Sequence, residues 1–325
     1  MKDSHHHLLT MLSADAEFPP LVPPAISRER LEEASLAERV QRGDLRLVRP
    51  GVYTPPWDDA GQPYRAAILS EVRGILERCT ADLTFSHSTA ALLHGAWTYR
   101  VPQLVHLTQR TNQHVRSDVE PLVRRHHTNL AEHDRTTIDR TPVTTLARTL
   151  VDCIRTLSRT SALVTADSLF RLGADPWDVE RIMSRSKGKR GIVQARQVLE
   201  LCDPRSGSPG ETVARLAAID AGLPRPECQT EVATSHGPYF VDLGWEEVRV
   251  AVEFDGEVKY SGGEFGDPTE VRRAEAARQT ALEAAGWTVL RVRWPDLDDS
   301  LALEAQVREA YLCGLRRRAP ATHAR

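Results

Sequence analysis

Apolar residues recur at helical spacing in several stretches of the chain and at strand spacing in others. The stretch 64–78 carries apolar side chains at positions 68, 69, 72, 75 and 76, which predicts an amphipathic helix. Further helices are predicted at about 160–171, 176–185 and 190–200, and in TPVTTLARTLVDCIRTL, where Arg148 and Asp152 are four residues apart and could pair. Short strands are expected at 105–108 and 119–125. The region 64–201 is therefore predicted to be an α/β middle domain.

The N-terminal region has a different pattern. Four prolines between positions 19 and 24 predict a flexible arm over residues 1–25. Ser27 is predicted to cap a short helix through Glu33, and a second helix from Leu36 is predicted to end at Gly43. Two short apolar runs then flank the turn residues Pro50-Gly51.

Helix, helix and two-stranded ribbon is the outline of a winged helix, predicted here at 26–57 with an α+β fold. Four arginines would lie on the second helix and the wing, where a winged helix meets DNA phosphates: Arg39, Arg42, Arg46 and Arg49. The alternative is a small capping subdomain with ordinary surface arginines, since the segment 26–56 holds six arginines against five acidic residues.

The last third predicts the element order α-β-β-β-α-β. The first helix has a capping-box start, with Ser208 at the N-cap, Pro209 at the first helical position and Glu211 at the third. The remaining elements are bounded by turn residues and are listed here: strands Cys228–Thr234, Tyr239–Trp245 and Arg249–Asp255, a helix from Pro268 to Ala285, and a strand Thr288–Val292.

Two carboxylates fall in the middle of these strands. In 249–255 the apolar side chains alternate with Glu253, and Asp242 lies in the preceding strand. If the strands are neighbours, Asp242 and Glu253 converge on one point. Buried carboxylates need a partner, and a divalent cation such as Mg²⁺ is one candidate. An arginine is the other, and either Arg291 or Arg293 could supply it.

Composition and charge limit the class of protein. A chain of 325 residues with 41% hydrophobic and 27% charged residues is ordinary globular material of two or three domains. No apolar run is long enough for a membrane span, and five scattered cysteines without C-x-x-C favour a reduced cytoplasm over a disulfide framework. Residues 206–325 carry more acidic than basic side chains, so this part of the chain would repel a polyanion such as DNA. Bound cations that neutralise some of the carboxylates would reduce that repulsion.

At VDLGWEEVRVAVEFDGEVKY and the later AAGWTVLRVRWPDL, the sequence resembles the endonuclease-like domain related to very-short-patch-repair enzymes, within the PD-(D/E)xK nucleases. The resemblance covers roughly 206–300 of a predicted domain at 206–313, and it implies a restriction-endonuclease-like core that uses Mg²⁺ or Mn²⁺.

The resemblance also implies individual roles. Asp242 and Glu253 match the two metal-binding carboxylates, and Glu211 matches a first-helix glutamate of that fold, with its capping role as the alternative. Asp255 occupies the position where the motif has lysine, so the sequence departs from the pattern there. Lys259 is the candidate replacement cation, and Arg278 matches a basic position on the second helix that would contact nucleic acid.

The front part has its own resemblance. QRGDLRLVRPGVYTPPW resembles the winged-helix start of AbiEi-type antitoxins of toxin–antitoxin systems, and SHSTAALLHG and TPVTTLARTLVDC match later segments of that family. The match covers roughly 26–200. It implies a DNA-binding transcriptional regulator, with a cognate toxin or self-association as candidate partners.

Two functional hypotheses follow. One is a DNA-binding, metal-dependent endonuclease with the catalytic set Asp242, Glu253, Asp255 and Lys259. The other is an AbiEi-like antitoxin or regulator with a degenerate nuclease fold.

For His87 and His94, packing and helix-capping roles are favoured over metal binding, since no third ligand lies at a metal-site spacing. A disordered tail is expected at 314–325.

Overall fold

The computed structural model describes eight segments of the chain: residues 26–27, 33–49, 52–55, 63–78, 82–99, 103–110, 122–256 and 268–318. The predictions made for the arm 1–25, for Lys259 and for residues 319–325 lie outside the described residues.

The described residues form two compact units. Unit 1 comprises the described parts of Met1–Phe85, Val101–Leu130 and Arg135–Val143, and unit 2 those of Ser86–Arg100, Ala131–Asp134 and Thr144–Arg325. This division differs from the predicted boundaries. Residues of the predicted middle domain 64–201 belong to both units, and the segment 206–313 packs with the helices that precede it.

Unit 1 contains two helices and two sheets. Its helices are α1 (Glu33–Gln41) and α2 (Pro63–Arg78). The smaller sheet has the order β1-β3-β2 and consists of β1 (Ile26–Ser27), β2 (Arg46–Arg49) and β3 (Val52–Thr54), all antiparallel. The larger sheet has the order β6-β5-β4-β8-β7 and consists of β4 (Leu83–Phe85), β5 (Val105–Gln109), β6 (Val123–His127), β7 (Arg135–Ile138) and β8 (Thr141–Thr144).

Residues 28–32, which would begin the helix that Ser27 is predicted to cap, lie outside the described residues, so this cap stays a prediction. Ser27 lies in β1, where it pairs with Val52 of β3. The pairing partner is 25 positions away in sequence, so this pairing is a non-local contact that the sequence pattern did not predict. The following helix and the two strands of the ribbon lie close to the predicted positions, and the predicted turn at Pro50-Gly51 lies outside the described residues.

Helices dominate the first part of unit 2. They are α3 (His87–Leu93), α4 (Leu146–Thr156), α5 (Arg159–Arg171), α6 (Pro176–Arg185) and α7 (Ile192–Leu201). Their apolar stripes meet in one core that includes Leu150, Ile154, Leu163 and Leu169. The predicted pair on α4 is confirmed, since Arg148 Nε donates to Asp152 Oδ2 over 2.9 Å. We call this part of unit 2 the helical bundle.

The remainder of unit 2 has the predicted order α-β-β-β-α-β followed by one more helix. The elements are α8 (Pro209–Asp220), β9 (Glu227–Thr234), β10 (Gly237–Trp245), β11 (Val250–Asp255), α9 (Pro268–Ala284), β12 (Thr288–Arg293) and α10 (Ser300–Arg318). The sheet order is β12-β11-β10-β9. β9, β10 and β11 run antiparallel, and β12 joins β11 in parallel after the crossover helix α9.

Both faces of this sheet are covered. On one face Val250, Val252 and Leu243 pack with α8 and α10 in one core. On the other face Ala251 and Val241 pack with Leu282 of α9 and with Trp287. The predicted alternation of β11 is thus observed, and it leaves Glu253 on the face that α9 covers.

The helix α10 corrects the predicted tail. Residues 314–318 belong to this helix rather than to a disordered segment. Gly314 lies so close to β11 that a Cβ at this position would come within 2.5 Å of Val250 Cγ2. Arg318 Nη1 donates to the carbonyl oxygen of Glu246 over 3.1 Å, so the basic end of the helix docks on the turn before β11.

The helical bundle and the four-stranded sheet are joined by a buried ion pair. Arg215 of α8 and Asp167 of α5 have side chains with 0% exposure, and Arg215 Nη2 lies 2.5 Å from Asp167 Oδ2. Asp167 also accepts from the backbone N–H of Asp203 and from the hydroxyl of Thr212, each over 2.8 Å. This network explains why the chain on both sides of the predicted boundary at 202–209 packs as one unit.

No helix in the described part of the chain has the length and apolar character needed to cross a membrane. The four cysteines for which the structure describes a thiol are all free.

Candidate carboxylate cleft

Unit 2 contains an open cleft of about 630 Å³ at the N-terminal end of α8 and the C-terminal end of β11. We call it the carboxylate cleft. It is lined by Gly207, Ser208, Glu211, Asp242, Glu253, Phe254, Asp255, Gly256, Glu275, Arg278, Arg291 and Trp294. Five carboxylates and two arginines therefore share one cleft, and the set includes every predicted site residue of the last third that lies within the described segments.

Strand pairing brings Asp242 and Glu253 together. In the antiparallel register Leu243 pairs with Val252, so continuing the register by one residue places Asp242 opposite Glu253. At this point a side-chain contact takes the place of the backbone hydrogen bonds between β10 and β11. Asp242 Oδ2 accepts from the backbone N–H of Phe254 over 2.8 Å. The predicted convergence of the two carboxylates is observed.

Glu211 both caps α8 and faces the cleft. The Ser208 hydroxyl accepts from the Glu211 N–H over 3.2 Å, as a capping box requires. The Glu211 carboxylate reaches one residue further back than predicted, because its Oε2 accepts from the N–H of Gly207 over 2.6 Å. Glu211 is only 8% exposed and lines the same cleft as Asp242. Capping and a role in the site are thus compatible.

The acids in the cleft disfavour each other's charge. Burial, and then the charge of Asp242, raise the pKa of Glu211 from 4.5 to about 7. Burial also raises the pKa of Glu253, although Arg278 acts in the opposite direction. A cation entering the cleft would relieve this cost.

Arginines in the cleft already offset part of the negative charge of its carboxylates. Arg278 Nη2 donates to Glu253 Oε1 over 2.6 Å, and it also donates to the carbonyl oxygen of Phe240 over 2.5 Å. Arg291 Nη2 lies 3.8 Å from Glu253 Oε2, and Arg291 also pairs with Glu275. The arginine alternative for Glu253 is therefore realised in the structure, by Arg278 and more distantly by Arg291.

Asp255 lies at the edge of the same group. Its Oδ2 is 4.0 Å from Arg291 Nη1, and its side chain is 13% exposed. The position where the motif has lysine thus holds a partly buried acid beside an arginine.

Sequence reasoning missed Gln229. This residue of β9 has φ +54°, in the left-handed region, and the pairing of β9 with β10 skips it between Cys228 and Thr230. The Gln229 amide donates to Glu211 Oε2 over 3.1 Å. A glutamine in an alternating strand gives no sequence signal of this kink, so only the structure shows that Gln229 positions the Glu211 carboxylate.

Glycine and aromatic residues also shape the cleft. A Cβ at Gly210 would come within 2.3 Å of the Phe254 ring, so α8 approaches β11 too closely for any side chain there. Phe254 in turn meets Trp294 edge to face, with ring centroids 5.0 Å apart. These contacts hold α8, and with it Glu211, against the end of β11.

The four arginines predicted to meet DNA lie in unit 1. Arg39 is on α1, Arg42 follows it, and β2 contains the remaining two, Arg46 and Arg49. Arg42 is part of an exposed charge cluster, since it lies 3.5 Å from Glu38 and 3.6 Å from Asp44. These acids offset part of the Arg42 charge. DNA contact by this surface stays a prediction.

The histidines singled out in the sequence hold local contacts. His94 Nε2 bonds the carbonyl oxygen of Thr144 over 2.7 Å, and His87 Nδ1 lies 2.9 Å from the Ser86 hydroxyl at the start of α3. Burial lowers the pKa of both imidazoles. The His94 contact fits the packing role that the sequence favoured, whereas the start of α3 has no side-chain hydrogen bond that caps it.

Comparisons with known proteins give relatives from Mycobacterium tuberculosis. The chain is similar to the uncharacterized protein MT2308 of strain CDC 1551 / Oshkosh and to the uncharacterized protein Rv2248 of strain ATCC 25618 / H37Rv, each 34% identical over 148 residues. The aligned part is 45% of this chain and 52% of each relative, so the chain spans about half the length of the curated relatives it matches.

No protein-family model matches the chain. Among solved structures it is similar to the crystal structure of the RV2827C protein from Mycobacterium tuberculosis, with 15% identity and a TM-score of 0.38 over 65% of this chain and 83% of that one. Function must therefore be argued from the site itself.

Proposed function

We propose that residues 206–313 form a divalent-metal-dependent endonuclease domain that acts on DNA, with Asp242 and Glu253 as the metal-binding carboxylates. The observation that carries the proposal is the convergence of Asp242, Glu253 and Glu211 in one cleft. A fold that only needed stability would gain little from burying three acids together, because each buried charge costs free energy without a partner. The resemblance to PD-(D/E)xK nucleases supports the same assignment.

The donor set fits magnesium or manganese. Carboxylate oxygens are the ligands these ions prefer, and Asp242 and Glu253 come from adjacent strands that hold them close. Glu211 is the candidate third ligand. A bound ion would supply a water of lowered pKa and would neutralise charge developing on a phosphoryl group.

The side chains of the cleft have their own tasks. Arg278 binds Oε1 of Glu253, so its release would make a second oxygen of Glu253 available to a metal. A DNA phosphate offers Arg278 an equivalent partner, since a guanidinium binds phosphate and carboxylate in the same way. Gln229 and the Gly207 N–H hold the Glu211 carboxylate in place. Lys259, which lies outside the described residues, is the proposed replacement cation near the scissile phosphate.

Metal binding tests the proposal directly. Calorimetric titration with Mn²⁺ should show a site in the wild type that Asp242→Asn with Glu253→Gln removes. Glu246→Gln, which changes an exposed glutamate in a turn, is the matched control and should bind as the wild type does. Arg278→Gln should bind Mn²⁺ more tightly than the wild type, because it frees an oxygen of Glu253.

DNA cleavage is the second arm of the test. Purified wild type should cut DNA in Mg²⁺ or Mn²⁺, and the Asp242→Asn, Glu253→Gln variant prepared in parallel should not. Equal cleavage by both proteins would show a contaminating nuclease and would remove the assignment. The absence of Mn²⁺ binding in the presence of DNA would do the same.

A second candidate function rests on the arginines. Glu253 is already neutralised by Arg278 and Arg291, which suits a degenerate nuclease fold in an AbiEi-like DNA-binding regulator. In this case Arg278→Gln should destabilise the fold without creating a metal site. The pair Arg39→Ala and Arg42→Ala should then weaken DNA binding and flatten its salt dependence by about two phosphate contacts.

A further inference from the structure

The helical bundle of unit 2 carries a cationic surface with one exposed tryptophan. Residues 181–190 hold five Lys or Arg side chains and no acidic residue. Trp177, one turn earlier on α6, is 84% exposed. We call the set Trp177, Arg181, Arg185, Lys187, Lys189 and Arg190 the Trp177 surface. It shares no residue with the carboxylate cleft.

Helix geometry puts the first three members on one face. Trp177, Arg181 and Arg185 follow each other at intervals of four residues along α6. The start of α6 is fixed by its cap, since Asp175 Oδ1 accepts from the Trp177 N–H over 2.8 Å with Pro176 at the first helical position. The exposed indole is thus attached to a well-anchored turn, and two arginines continue from it in a row.

Acidic side chains hold Arg181 and Arg185 in place. Arg185 Nη2 donates to both oxygens of the buried Asp134 over 3.0 and 3.1 Å, and Arg148 Nη1 reaches the same carboxylate at 3.4 Å. Arg181 pairs with Asp178 over 2.7 Å. Arg181 and Arg185 also both contact His133 Nε2, and their side chains are still 39% and 43% exposed.

The loop after α6 adds three more cations at a fixed position. Arg155 donates twice to the carbonyl oxygen of Arg190, over 2.9 and 3.2 Å. A Cβ at Gly191 would come within 2.0 Å of the Arg155 carbonyl oxygen, so the loop lies directly on α4. Lys187, Lys189 and Arg190 are exposed on this loop.

Nearby acids offset only part of the positive charge, since Asp178 pairs with Arg181 and Asp134 pairs with Arg185. The pKa of Lys189 is lowered by burial and then by the nearby charges of Arg148 and Arg155. An anion bound at the surface would relieve that repulsion. A phosphate backbone suits this need, because it brings anions at regular intervals.

We propose that the Trp177 surface binds single-stranded nucleic acid, with phosphates on the loop cations and on Arg181 and Arg185, and a base stacked on Trp177. Proteins that hold single strands combine a cationic track with aromatic faces, and an exposed indole gives an unpaired base such a face. A paired base in a duplex has no free face for Trp177. The interaction needs no metal and no cleavage, so it stands apart from the nuclease assignment.

The test is binding of a fluorescent poly-dT oligonucleotide and of a matched duplex in EDTA. Lys187→Gln, Lys189→Gln and Arg190→Gln together remove three charges without removing a hydrogen bond that the structure gives to their side chains. The slope of log affinity against log salt for the single strand should fall by about 2. The control changes three charges elsewhere in unit 2, Arg316→Gln, Arg317→Gln and Arg318→Gln, and should leave most of that slope in place.

Trp177→Ala should weaken single-strand binding roughly ten-fold and duplex binding little. Leu301→Ala, which truncates another apolar side chain with 75% exposure, is its control and should change neither. Quenching of tryptophan fluorescence by the oligonucleotide should also be smaller in Trp177→Phe. Equal losses from the two charge triples, or unchanged single-strand affinity in Trp177→Ala, would overturn the proposal.

Discussion

The raised pKa of Glu211 leads to a quantitative prediction about stability. In the unfolded chain this carboxyl group titrates near 4.5, whereas in the folded protein its pKa is about 7. Between these values the unfolded state releases the proton and the folded state keeps it, so the folded state loses stability as the pH rises. Each pH unit in that interval is worth about 1.4 kcal/mol, which gives about 3 kcal/mol in total above pH 7.

Glu211→Gln should remove this loss. The hydrogen bonds from Gly207 and Gln229 end on the same oxygen of Glu211, Oε2, and the carbonyl oxygen of a glutamine can accept them equally. We therefore expect the variant to be more stable than the wild type by up to about 3 kcal/mol at pH 8 and equally stable near pH 4. Urea unfolding in EDTA at the two pH values measures the difference, with Glu246→Gln as the control that should change stability little at either pH.

The outcome that refutes the reasoning is specific. If Glu211→Gln gains nothing at pH 8, or gains the same amount at pH 4, the cost does not come from the ionised carboxylate. Repeating the pH 8 measurement in Mg²⁺ extends the test to function. A metal that binds the cleft should stabilise the wild type more than the variant, because binding only to the folded state adds stability by mass action.

Two further predictions concern the packing that holds the cleft. Arg215→Met should cost roughly 3–5 kcal/mol in urea unfolding, because it leaves the buried Asp167 carboxylate without its charge partner. Adding Asp167→Asn should recover part of that loss, and a purely additive double variant would contradict the pairing. Gly210→Ala should cost about 1–3 kcal/mol, because its Cβ would lie 2.3 Å from the Phe254 ring. An unchanged midpoint of unfolding for this variant would contradict the close approach of α8 to β11.

Several elements could be predicted because their signals are local. The start of α8 is encoded by Ser208 and Pro209, and its end by Gly222, which has φ +74° after the last turn. The alternation of β11 separates Val250 and Val252 from Glu253 within a few residues of sequence. The convergence of Asp242 with Glu253 then required only that two successive strands pair.

Other features depend on residues that meet only in the folded chain. Ser27 pairs with Val52 in a sheet, and no local pattern around Ser27 indicates that contact. Arg278 reaches Glu253 from α9, and the sequence had offered Arg291 and Arg293 as its arginine partners. The kink at Gln229 has no counterpart in residue pattern at all.

The sequence by itself thus determined the element order of the last third, the facing of its strands and the pair of acids at its centre. Capping, glycine and alternation signals act over a few residues, so the sequence shows them directly. Only the tertiary structure decided which cations neutralise Glu253, that α8 lies directly on Phe254, and that Arg215 joins the sheet to the helical bundle through Asp167. Those contacts join residues far apart in sequence, and their free energies arise only when burial removes the charges and rings from water.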